Sequence, residues 1–94
     1  MTERTLTSLF AEIRYLKERL QNTPSSRARA QYDIACDLAR KMIDQVEDDT
    51  IAMGLLLHGV NGLTWSATEA CLGVEDIQDR CYDYLMEEDS IFLW

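Results

Sequence analysis

Five aliphatic side chains, Leu6, Leu9, Ile13, Leu16 and Leu20, recur at spacings of 3, 4, 3 and 4 residues. Such a repeat lays one apolar seam along an α-helix, at the period on which helices pack against one another. Phe10 widens the stripe. Thr5 or Thr7 caps its start, since a hydroxyl oxygen there accepts from a free backbone N–H. Asn22-Thr23-Pro24 ends it, because proline drives the residue ahead of it out of helical geometry. A second helix is expected from a cap at Ser25 or Ser26 to about Glu47, with Ala28, Tyr32, Ala35, Leu38, Ala39, Met42 and Val46 turned inward. Its alanines permit close approach, and a connection of only a few residues forces an antiparallel hairpin.

The rest of the chain predicts three shorter helices. Glu47-Asp48-Asp49-Thr50 offers a cap for a buried helix over Ile51–Leu57, stopped by Gly59 and Gly62. A fourth helix runs from about Thr64 to Leu72, with Ser66 and Glu69 spaced as a capping box and Gly73 as its stop. A fifth, from about Glu75 to Glu88, puts Ile77, Cys81, Tyr84 and Leu85 on one face. The expectation is an all-α fold of about five helices, with a long N-terminal hairpin and a compact C-terminal cluster.

At 94 residues the chain has the length of one helical domain, 1–94, whose core is thin. Its apolar content of 47% is high for that size, which predicts burial between subunits as well as within one. The expected homo-oligomer interface is the seam Leu6, Leu9, Ile13 and Leu16, joined by Phe92 and Trp94 from the apolar terminus Ile91-Phe92-Leu93-Trp94. No stretch is apolar for long enough to span a bilayer, so no membrane partner is expected. Met1-Thr2-Glu3-Arg4 has no export character, and Cys36, Cys71 and Cys81 have no framework spacing. Reduced thiols in a cytoplasm are the corresponding expectation.

Charge is segregated. Residues 1–45 carry eight basic and six acidic side chains, whereas residues 46–94 carry Arg80 against eleven acids. Net charge governs partner choice rather than fold. The acidic half repels nucleic acid and attracts a basic surface. Glu75, Asp76, Asp79, Asp83 and Glu87 recur along the fifth helix and are the expected partner-binding residues, spaced to imitate phosphates.

Residues 64–84 resemble the frame of a helix-turn-helix: Thr64-Trp65, then Leu72-Gly73-Val74, then a helix. However, Glu69 stands where that motif takes a small buried residue, and Asp79 where it takes an aliphatic one. Its reading helix would offer phosphates a row of acids, so direct DNA binding is not expected.

Pro24-Ser25-Ser26-Arg27-Ala28-Arg29 sets two hydroxyls and two guanidiniums at a helix N-terminus, a setting that favours an anion. Ser25, Ser26, Arg27 and Arg29 are therefore a candidate anion site, with Tyr15 or Tyr32 to stack a base; the plainer reading is a cap with arginines paired to Asp33. His58 and the three cysteines lack the spacing of a metal site, and His58 reads as a helix C-terminal cap. No catalytic or cofactor motif is present, so no cofactor is expected. Taken together, the expected function is a non-enzymatic acidic inhibitor or regulator, of the kind phages and mobile elements carry, that occupies a basic protein handling nucleic acid. Two alternatives stand beside it: an oligomeric binder of a nucleotide or cyclic dinucleotide, and a helix-turn-helix-like regulator.

Overall fold

The computed structural model describes residues 5–91, with side chains described through Glu87. It is all-α: α1 (Leu6–Asn22), α2 (Ser26–Ile43), α3 (Asp49–Leu55), α4 (Trp65–Leu72) and α5 (Ile77–Ile91), with a wider helical turn at Leu56–Val60 continuing α3. Among the described residues there is no strand, and no helix is long and apolar enough to cross a membrane.

Capping chemistry sets the helix starts. Thr5 and Ser8 form a reciprocal capping box at α1, each side chain accepting the other's backbone N–H at 3.1 Å. Ser25 Oγ accepts from Ala28 N at 3.3 Å to start α2. Asp48 Oδ1 accepts from Thr50 N and Ile51 N at α3. At α4 the cap is Thr64, whose Oγ1 accepts from Ala67 N at 3.1 Å; the expected Ser66–Glu69 box starts two residues too late. Gly73, at φ 68°, closes α4 as the sequence predicts.

α1 and α2 pack along one another as the expected hairpin, and α3 and α4 both pack on α5. The seam of α1 is consumed by this core. Leu6, Leu9, Ile13 and Leu16 are all at most 4% exposed within a single chain. The assignment of these four to an oligomer interface is thereby corrected: the small residues Ala28, Ala35 and Ala39 bring α2 close enough to cover them. Phe92 and Trp94, the other two expected interface residues, lie outside the described residues.

Three further differences have local causes. α2 ends at Ile43, not near Glu47, and Val46 enters the core from the connection that follows. Its buried face is turned toward Cys36 and Ile43, which leaves Leu38 exposed. α3 is not buried all round: Gly54 and Leu55 face inward, and Met53 is exposed. Gly59 does not stop that helix either. Asn61 N donates to Leu56 O at 3.0 Å, an i to i+5 bond, and the chain turns away only at Gly62, φ 78°.

Candidate functional site

Ile77 and Cys81 on α5 are fully buried and Tyr84 and Leu85 half-buried, so one face of the helix is fixed against the core. The opposite face is then dictated by helical spacing. Glu75 and Asp76, in the turn leading into α5, and Asp79, Asp83 and Glu87 along it are all exposed. The nearby cation, Arg80, is held within this surface: its Nε lies 3.1 Å from Asp76 Oδ2. Two large apolar side chains sit among the acids, Met86 at 73% and Tyr82 at 48% exposure. The face therefore sets exposed apolar side chains beside exposed carboxylates. The same acids occupy what would be the reading helix of a helix-turn-helix.

The candidate anion residues at the start of α2 are divided by the helix. Ser25 and Arg27 line a shallow pocket of about 240 Å³ with Arg19, Ala28 and Gln31. Ser25 Oγ is engaged in the cap, and Ser26 is the exposed first residue of the helix. Arg29 faces a different groove, of about 650 Å³, where it pairs with Asp33 at 3.4 Å and its guanidinium lies 5.7 Å from the centre of the Tyr32 ring. Arg40 on that groove pairs with Asp37 at 3.3 Å. Burial and the neighbouring Cys36 thiol push the Tyr32 phenol above its usual range.

A cluster that the spacing does not reveal surrounds His58. Its ring stacks on Trp65 at 3.8 Å between centres and 15° between planes, and Tyr82 meets Trp65 edge-on at 5.6 Å. His58 Nδ1 donates to the Leu63 carbonyl at 2.7 Å. That carbonyl lies beyond the helical turn, so His58 ties down the following loop rather than capping its own helix. Burial lowers the His58 pKa from 6.5, opposed by the Leu63 hydrogen bond and reinforced by the Arg14 charge. The donated proton therefore identifies the Nδ1–H tautomer, with Nε2 left as an acceptor.

Cys36 and Cys81 are buried and Cys71 is exposed. Burial, with a smaller contribution from Asp48, pushes the Cys81 thiol up to about 11, which suits a small hydrophobe and not a nucleophile. Among the described residues no group of three or more His, Cys, Asp or Glu is placed to hold a metal ion. No protein-family model matches this chain, and neither a curated protein nor a solved structure matches it.

Proposed function

We propose that this chain is a non-enzymatic binding protein, of the inhibitor type carried by phages and mobile elements, that occupies a basic partner which handles nucleic acid. The observation that carries the reading is the outer face of α5 with the turn before it: five exposed carboxylates with Tyr82 and Met86 among them, and Arg80 already paired with Asp76. Carboxylates alone serve solubility; exposed apolar anchors beside them serve association. Self-association belongs to the same proposal. With the α1 seam buried, its site is moved to the outer face of α2, where Ile34 is 59% and Leu38 is 38% exposed one turn apart. The alternative of a phosphorylated ligand at Ser25–Arg29 finds its residues divided between two pockets.

Capture from a host lysate, with and without nuclease, tests the reading. The expected result is a basic protein retained by the native chain after nuclease treatment and lost from a chain with Asp79→Lys and Asp83→Lys. Equal retention by both chains would overturn it.

A further inference from the structure

We propose that the groove between α1 and the 56–63 turn is a small-molecule site for a planar aromatic anion, with the ring held among Phe10, Trp65 and Tyr82 and the acid group at Arg14 and Lys17. Two adjoining cavities make up this groove and share Arg14, His58 and Gly59. One, of about 170 Å³, is walled by those aromatic rings with Leu55 and Leu85. The other, of about 230 Å³, contains Arg14 and Lys17 beside the backbone of Gly59 and Gly62. Binding sites for small ligands are concave and mostly apolar, with a few polar groups that fix orientation. Each cavity is smaller than the roughly 300–1,000 Å³ of drug-sized sites, so the occupant is one small ring system with a short acidic arm.

Charge decides the sign of the ligand. The chain holds 17 acidic side chains against 9 basic ones. Yet no carboxylate lines either cavity, and two cations do. Among the described residues Arg29, Arg40 and Arg80 each pair with an aspartate, while Arg14 and Lys17 form no ion pair. The Lys17 ammonium lies across the 59–63 turn: a Cβ added to Gly62 would stand 2.9 Å from its Nζ. A positive recess in a molecule of net charge −8 concentrates anions locally rather than over the whole surface.

Local structure fixes the walls of the groove. A Cβ on Gly59 would stand 2.5 Å from Phe10 Cε1, so the Phe10 ring rests directly on the Gly59 backbone and is held in one position. Widened turns of this type recur inside helices at functional sites. His58 braces the Trp65 face on one side and contributes Nε2 as a further polar atom.

An aryl carboxylate and a nucleoside monophosphate both supply a flat ring and an anion, so each is an arm of the test. Binding of 1-naphthoate, adenosine monophosphate and the neutral 1-naphthalenemethanol is measured by titration calorimetry and by protein NMR. The expected result is one molecule of an anionic probe per chain, shifting the Trp65 indole and the Leu55 and Leu85 methyl signals. Naphthoate should bind at least about tenfold more tightly than the neutral alcohol, and Arg14→Gln with Lys17→Gln should weaken anion binding at least about tenfold with the melting temperature unchanged. Both replaced residues are exposed, so the fold tolerates them. The anion that binds more tightly names the source. Binding of neither anion with a Kd below about 1 mM, equal binding of the alcohol, or an unchanged affinity in the double variant would each overturn the proposal.

Discussion

Gly54 on α3 lies flush against Cys81 on α5: a Cβ added there would stand 2.8 Å from the Cys81 Sγ and 2.8 Å from Ile77 Cγ1. The two helices thus meet backbone to side chain, and the absence of one methyl group sets their separation. Inserting that methyl overpacks the core, at a cost of about 1–3 kcal/mol. Gly54→Ala should lose that much stability in urea denaturation. Cys81→Ala should lose less, and the combination should cost less than the two together, because the vacated Sγ volume admits the new methyl. Rescue will be partial, since Ile77 remains. Strictly additive losses would mean that the helices do not meet at this point.

The Cys81 thiol gives the fold an alkaline limit. Its folded-state pKa, about 11, stands above the ordinary 9.0 of an unfolded thiol. The contribution of the neutral thiol is fully present below 9.0 and is lost as pH rises through about 11, because the unfolded chain then releases a proton that the native chain retains. Tyr32 acts in the same direction from its own higher range. Stability measured at about pH 8 and about pH 10.5 should fall between the two, and Cys81→Ala should remove part of the fall. Thiol labelling of the native protein should modify Cys71 quickly and leave Cys36 and Cys81 protected until denaturant is added.

His58 sets the opposite edge. Its folded-state pKa lies below 6.5, chiefly through burial, so the neutral ring contributes stability above 6.5 that is lost as pH falls toward the folded value. His58→Phe keeps a ring against Trp65 and removes the titration. Between about pH 7 and about pH 5 the native protein should lose more stability than this variant does, by urea denaturation at each pH.

How much of this was legible in the sequence follows from the range of each signal. The α1 seam, the Ser25 cap, the Gly73 stop and the inward face of α5 are local, repeating at helical spacing, and the structure has them where the spacing puts them. The exposed acids on and just before α5 follow from the same period. The rotation of α2 toward Cys36 and Ile43 was not legible, because helical period fixes a face only to within a residue, and the neighbour chooses the rest. Nor was the His58–Trp65 stack: the residues are seven apart, a spacing shared by many pairs, and they meet across the loop between the widened turn at Leu56–Val60 and α4. The seam itself was legible but its partner was not, since an apolar stripe looks the same whether its own chain or a second copy covers it.

The proposed association through α2 has a direct test. Ile34 and Leu38 form an exposed apolar pair one turn apart on this helix. Light scattering coupled to size exclusion should show an oligomer that Ile34→Glu with Leu38→Glu converts to monomer, with the melting temperature at low concentration little changed. A monomer of the native chain at tens of micromolar, on the order of concentrations at which weak oligomers form, would rule out self-association.

The outer face of α5 carries the most direct test of function. Asp79 and Asp83 are exposed one turn apart on it. Replacing both by lysine should leave the helix content and the melting temperature nearly unchanged, because exposed charges contribute roughly 0–1 kcal/mol. Partner association should slow markedly, and its dependence on salt should shrink, as expected where charges steer encounter. Met86→Ser should act differently: association keeps its salt dependence while dissociation speeds up, because an apolar anchor is felt once the surfaces are joined. The two variants therefore separate steering from anchoring in one kinetic experiment at two salt concentrations. If both bind like the native chain, the acids on α5 are a solvated surface and the partner sits elsewhere.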